Sequence, residues 1–108
     1  MAAIFHVNEN DLAWSQYASD EGPGAIRFKA LTLGATGVPS VQFIEYGPGQ
    51  TDPVHQHDVG ELFIVTSGDM WLDDAHLTPG GLVFVPAHTD YAVKAGDGGV
   101  RYFRIVTG

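Results

Sequence analysis

The sequence predicts an all-β protein, a sandwich or barrel preceded by a short N-terminal arm. Short apolar runs recur at even spacing, turns rich in glycine and proline separate them, and no helical pattern exceeds one or two turns. With 14 glycines and 6 prolines in 108 residues, turns are expected to be frequent. The length suits one domain, with an arm over residues 1–24 and a barrel over residues 25–108.

Composition and charge exclude several classes of protein. Because the chain has no cysteine, disulfides, thiolate metal sites and cysteine nucleophiles are excluded. The net charge of −8 and the lack of a basic patch argue against nucleic-acid and anionic-membrane partners. No apolar run approaches the roughly 18 residues of a membrane span, and the N-terminus lacks a secretory signal pattern. A cytoplasmic protein is therefore expected.

The arm is predicted to hold a short strand over residues 4–7, a polar break over 8–11 and a turn or helix start over 12–14. Trp14 and Tyr17 are expected to cap the end of the core or to pack against a partner. Residues 19–24 have the composition of a loop.

The barrel region divides into short strands with alternating faces. Residues 42, 44 and 46 share one face of their strand, and the sequence does not say whether it points inward. In the last strand the set Arg101, Phe103 and Ile105 is more apolar than Tyr102 and Arg104. This set is therefore predicted to line the interior, although for Arg101 itself a surface position is favoured over an inward one. The predicted strands are 25–33, 41–46, 51–57, 61–67, 70–72, 76–77, 82–85, 91–94 and 100–106.

Residues 49–68 contain the chain's most specific pattern of side chains. His55 and His57 are two apart, so on a strand both imidazoles point to one face. A turn over residues 58–60 separates them from Glu61, which opens the next apolar run and can return a carboxylate to the same point. Two imidazoles and a carboxylate on one side of an ion suit iron, manganese, nickel, copper or zinc, with positions left for water or substrate.

This stretch resembles the first signature of the cupin superfamily: a glycine, five residues, His-x-His, three or four residues, a glutamate, six residues and a glycine. Gly49, His55, His57, Glu61 and Gly68 meet every position of that signature. The resemblance implies a jelly-roll β-barrel that holds one divalent transition metal, iron first among the candidates, inside its mouth. It also implies a homodimer, with the arm and strand 25–33 as the candidate contacts.

The second cupin signature is only partly met. Gly80 and Pro86 fit it, but His88 stands where a glycine is expected and Tyr91 where the last metal-ligating histidine is expected. Three interpretations of the fourth ligand position stay open. Tyr91 points inward and ligates the metal, or donates a hydrogen bond or proton beside a bound water; His88 turns in from the loop as a third imidazole; or the site holds no metal.

Three functions follow from this pattern. The first is a metal-dependent oxidoreductase of the dioxygenase type acting on a small organic substrate, with His55, His57, Glu61 and Tyr91 at the metal and Tyr91, His88 or Glu61 handling protons. The second is a non-redox lyase, isomerase or decarboxylase, in which the metal polarises a carbonyl. The third is a binding module for a small molecule, without catalysis. The substrate itself is not specified by the sequence.

Overall fold

Eight antiparallel strands form the fold in a computed structural model that describes residues 4–16, 26–35 and 37–107. A turn of 3-10 helix, Glu9–Asp11, precedes them. Within the described ranges, no helix has the length and apolar character needed to cross a membrane. The strands are β1 (Ser15–Gln16), β2 (Ile26–Ala35), β3 (Val38–Tyr46), β4 (Thr51–His55), β5 (Glu61–Leu72), β6 (Ala75–Leu77), β7 (Leu82–Val85) and β8 (Tyr91–Val106).

The two longest strands, β5 and β8, connect two packed layers. In one layer the order is β1-β2-β3-β8-β5, and β7 pairs with the first residues of β5. In the other, the start of β8 lies between β4 and the end of β5, and β6 pairs with that end of β5. This arrangement is the jelly-roll predicted from the sequence, and its apolar core fills the space between the layers.

Glycines bend β5 and β8 where the sequence predicted turns. Residues 67–69 and 96–99 were each expected to separate two strands, and this prediction is wrong because both strands continue through them. Gly68 and Gly99 take positive φ angles of 70° and 80° beside shifts in the β5–β8 register. Such glycine bulges bend a strand without ending its pairing. Both strands therefore pass from one layer to the other at the same level.

The structure shows which faces of β3 and β8 point inward. Gln42, Ile44 and Tyr46 point into the space between the layers, and Tyr102 and Arg104 of β8 join them there. The prediction that the set Arg101, Phe103 and Ile105 lines the interior is therefore wrong, and the surface position favoured for Arg101 is confirmed. Arg101 has 45% of its side chain exposed and pairs with Glu45 on the outer surface.

The arm differs from its prediction in two respects. Residues 4–8 form no strand, and the helical turn falls on Glu9–Asp11, before the expected start over residues 12–14. Trp14 does not plug an end of the core: it stacks on Phe43 across the outer face of the sheet, with 5.7 Å between ring centres. The predictions for Tyr17, the 19–24 loop and Ala25 concern positions outside the described residues.

Basic side chains surround Trp14 and hold the arm in place. The Nζ atom of Lys29 lies 4.5 Å from the ring centre of Trp14 and donates a 2.9 Å hydrogen bond to the carbonyl of Glu9. Arg27 and Arg101 also approach this ring, and both donate hydrogen bonds to Glu45. Burial alone raises the pKa of Glu45, but the two arginines outweigh it, so the pKa of this carboxyl lies below its usual range.

Replacing Trp14 with alanine is expected to lower the free energy of unfolding by about 2 kcal/mol. The change removes the stacking on Phe43 and the cation–π contact with Lys29, each worth about 1 kcal/mol. Urea unfolding followed by circular dichroism measures the loss. The matched control is Trp71→Ala, because Trp71 stacks on the exposed His76, and its loss should cost less than about 1 kcal/mol. Equal losses for the two variants would show that the arm does not depend on Trp14.

Candidate functional site

A cavity of about 370 Å³ lies between the two layers and opens to the surface near the end of β4. Its walls are mainly aromatic and aliphatic, and its polar groups come from β3, β4, β8 and the segment just after β4. A small pocket of this composition suits an organic ligand held by a few directed polar contacts. The lining residues are Ile26, Gln42, Ile44, Tyr46, Asp52, His55, His57, Phe63, Tyr91, Val93, Tyr102 and Arg104.

His55 and His57 stand together at the mouth of this cavity, as their spacing predicted. His55 ends β4, His57 follows it, and their ring centres are 4.9 Å apart. Nδ1 of His55 lies 2.8 Å from the carbonyl oxygen of Pro53, which can only accept a hydrogen bond, so Nδ1 carries the proton. Nε2 of a neutral His55 is then a free electron-pair donor. Fixing one ring nitrogen in this way is the usual support of a metal-ligating histidine.

Glu61 lies deeper and is almost fully enclosed, with 1% of its surface exposed. It is the first residue of β5, and its carboxylate accepts hydrogen bonds from Nε of Arg104 and, at 2.9 Å, from the hydroxyl of Tyr91. Arg104 is held in turn by Gln42, whose Oε1 accepts a 3.0 Å hydrogen bond from Nη1. The buried charge of Glu61 is therefore compensated and both of its oxygens are bonded.

Tyr91 points into the cavity, as one of the three sequence readings required. It is the register partner of His55, and the two ring centres are 4.5 Å apart. Burial raises the pKa of the Tyr91 phenol above its usual value, and the nearby Glu61 carboxylate raises it further. The phenol is therefore protonated at neutral pH and donates to Glu61. Its metal-ligating role stays a prediction.

His88 is not brought into the cavity. It lies exposed in the loop between β7 and β8, and its backbone N–H donates a 2.7 Å hydrogen bond to the carbonyl of His57. Its φ angle is 61°, a left-handed value that glycine adopts most easily. His88 thus keeps the backbone conformation of the glycine it replaces in the signature, and its backbone supports the segment that carries His57.

Asp52 is a cavity residue that the sequence analysis missed. Its Oδ2 accepts a 3.0 Å hydrogen bond from the hydroxyl of Tyr46 and lies 3.8 Å from Nε2 of His55. Simple alternation along β4 would place Asp52 and His55 on opposite faces, but the β4–β8 register shifts between them. This irregularity turns both side chains toward the cavity, and only the nearby Pro53 hints at it in the sequence.

These donors suit a divalent transition metal without forming a closed site. Nε2 of His57 lies 3.9 Å from Oε1 of Glu61, and Nε2 of His55 lies 3.8 Å from Oδ2 of Asp52. Neighbouring ligands of one ion are about 3 Å apart, so binding has to draw the side chains together. Among the described residues, no three His, Cys, Asp or Glu side chains already stand in a metal-holding arrangement. The two imidazoles and the anchored Glu61 nevertheless provide the chemistry that such an ion requires.

The comparison with known proteins depends on structure, because the sequence matches no protein-family model and no curated protein. A protein from Methylibium petroleiphilum proposed to be an acetylacetone dioxygenase superimposes on all of this chain and 79% of its own, with a TM-score of 0.82 at 14% identity. An RmlC-like cupin from Ralstonia eutropha gives a TM-score of 0.82 at 17% identity over 98% of this chain and 69% of its own.

A third similar structure is a chain from the complex of SigE with the anti-sigma ChrR of Rhodobacter sphaeroides. It gives a TM-score of 0.75 at 17% identity, and 93% of this chain spans only 52% of that one. At such identities the superpositions establish the fold and leave the activity open. The jelly-roll topology, the inward-facing first signature and these structural neighbours together show that this chain has the fold of the cupin superfamily.

Proposed function

We propose that this chain is a metal-dependent enzyme, an oxidoreductase of the dioxygenase type that acts on a small organic substrate in the cavity. The observation that carries the proposal is the pair of imidazoles at the cavity mouth, in which Nδ1 of His55 is hydrogen-bonded to the carbonyl oxygen of Pro53. His55, His57 and Glu61 would hold one divalent metal, with iron the best suited and manganese, nickel, copper or zinc as alternatives. Bound Fe(II) would supply open positions for substrate and O₂.

The chain's own side chains would provide the rest of the site. Phe63, Val93 and Ile44 line the cavity walls and limit the access of water to a bound substrate. Arg104 donates a hydrogen bond to one carboxylate oxygen of Glu61, and the hydroxyl of Tyr91 donates a hydrogen bond to the other oxygen. The superposition on the protein proposed to be an acetylacetone dioxygenase covers the whole chain and supports a substrate of that small size.

A non-redox lyase, isomerase or decarboxylase is the second candidate function. The hydrogen bond from Tyr91 to Glu61 favours it, because it places a proton donor and its acceptor at a cavity that would hold a carbonyl substrate. Zinc, manganese or nickel would then serve as the Lewis acid. Turnover under strict anaerobiosis would establish this candidate and exclude the dioxygenase.

The decisive measurement is metal content by mass spectrometry on untagged protein. We expect about one equivalent of metal per chain in the wild type and almost none in the double variant His55→Ala/His57→Ala. The matched control is His76→Ala/His88→Gly, which removes two exposed histidines and gives residue 88 the amino acid suited to its φ angle. This control should keep its metal.

The identity of the metal directs the next assay. Iron leads to O₂ uptake with diketones, catechols and hydroxyketones, whereas zinc or nickel leads to the anaerobic assay. A wild type that contains no metal and also refuses added metal would contradict both enzymatic proposals. A non-catalytic module that binds small molecules would then be the function of this fold.

A further inference from the structure

The charged groups at the cavity do not balance one another once a metal is bound. Arg104 carries one positive charge, while Asp52 and Glu61 carry one negative charge each, so the formal sum is −1. Histidines that ligate a metal are neutral. This inference rests on the proposed function, because a divalent ion at His55 and His57 changes the sum to +1.

An uncompensated charge is costly in this cavity because most of its walls are apolar. Phe63 and Val93 are almost fully buried, and Ile44 lies beside them in the core. Electrostatic interactions are stronger in such surroundings than in water. A ligand with one negative charge would bring the formal charge of the metal-loaded cavity to zero. A neutral ligand would leave that charge at +1, and a dianion would change it to −1.

Arg104 provides the directed contact for such a ligand. The guanidinium lines the cavity with 18% of the side chain exposed, and it donates hydrogen bonds to Glu61 from Nε and to Gln42 from Nη1. Its Nη2 donates no hydrogen bond to any residue in the described ranges. A guanidinium with free N–H groups at an apolar pocket is suited to a carboxylate or enolate oxygen.

We propose that the metal-loaded cavity selects a small monoanionic oxygen acid, a carboxylate or an enolate, whose charge completes the balance among the metal, Arg104, Asp52 and Glu61. The cavity of about 370 Å³ has room for a single ring or a short chain. Anion binding and metal binding are then coupled, and each strengthens the other by the same factor. Without the metal, the formal charge of −1 opposes an anion.

Calorimetry with benzoate and its neutral analogue benzamide tests this proposal, with and without one equivalent of Zn²⁺ as the probe ion. We expect the zinc-loaded protein to bind benzoate about tenfold or more tightly than benzamide, and the metal-free protein to show no preference for benzoate. Equal binding of the two compounds by zinc-loaded protein would overturn the inference and leave the proposed function intact. A protein that binds neither Zn²⁺ nor any of the other candidate metals would overturn both.

A charge variant separates the balance from a simple bond between zinc and a carboxylate. Asp52→Asn raises the formal sum of the loaded cavity to +2 while keeping an acceptor for the Tyr46 hydroxyl. We expect it to improve the binding of phthalate relative to benzoate by about tenfold. Asp74→Asn, in the exposed β5–β6 turn, is the matched control and should leave the ratio unchanged. An unchanged ratio in Asp52→Asn would overturn the charge-balance inference.

Discussion

Arg104→Met is expected to lower the free energy of unfolding by about 3–5 kcal/mol, which is the usual cost of removing one partner from a buried ion pair. Glu61 is almost fully enclosed, and within the described residues Arg104 is the only arginine or lysine that the structure pairs with it. Methionine fills a similar volume but leaves the carboxylate with the Tyr91 hydroxyl alone. Chemical unfolding followed by circular dichroism measures the loss.

The double variant Glu61→Gln/Arg104→Met tests the cause of that loss. Glutamine removes the buried charge and keeps an oxygen that accepts the hydrogen bond from Tyr91. Most of the lost stability should therefore return, because no unpaired charge remains. If the double variant were as unstable as Arg104→Met, the loss would come from packing instead of charge.

Arg101→Met is the matched control on the same strand. Arg101 also pairs with a glutamate, Glu45, but 45% of its side chain is exposed. Exposed ion pairs contribute about 1 kcal/mol or less, so this variant should stay close to the wild type. Similar losses for the two arginine variants would contradict the distinct environments that the fold gives them.

Gly68→Ala is expected to cost about 4 kcal/mol or more and to prevent stable folding. Gly68 has a φ of 70°, and a Cβ atom there would lie 2.1 Å from the carbonyl oxygen of Gly99. The obstacle is the backbone of the neighbouring strand, so no side chain can move aside to relieve it. Losses of this size come from a few specific causes, and steric conflict with strained backbone is one of them. Thermal unfolding and far-UV circular dichroism report the outcome.

Gly80→Ala separates the steric effect from the conformational one. Gly80 has a φ of 88°, but a Cβ atom there would meet nothing within 4 Å. Only the left-handed backbone penalises alanine, at about 1–2 kcal/mol. If both alanine variants lost the same stability, the close approach of β5 to β8 would not be the reason that residue 68 is glycine.

The strand pattern could be predicted from the sequence because burial alternates clearly in the first residues of β5 and β8. The continuity of β5 and β8 through residues 67–69 and 96–99 could not be predicted from the sequence. Glycine-rich stretches such as residues 96–99 have the same composition in a turn and in a bulge, and only the partner strand decides between them. Here each strand bends beside the bend of the other.

The prediction of which face of β8 points inward failed for a different reason. Phe103 appeared to belong inside because it is apolar, but it packs against Phe43 on the outer face, where Trp14 of the arm covers them. An apolar residue that the arm buries cannot be distinguished by pattern from one in the cavity. Once the outer face is covered, the polar Arg104 is free to lie inside with Glu61.

The shared bends of β5 and β8 have a consequence for local opening of the native state. Because these two strands cross both layers, neither layer can separate from the other while they stay paired. The β5–β8 amides are therefore expected to exchange with solvent only through global unfolding, as one cooperative unit. By contrast β1, which among the described strands pairs with β2 alone, can detach by itself. The His55 and His57 segment lies just before β5, so the cavity mouth can open while Glu61, the first residue of β5, remains fixed.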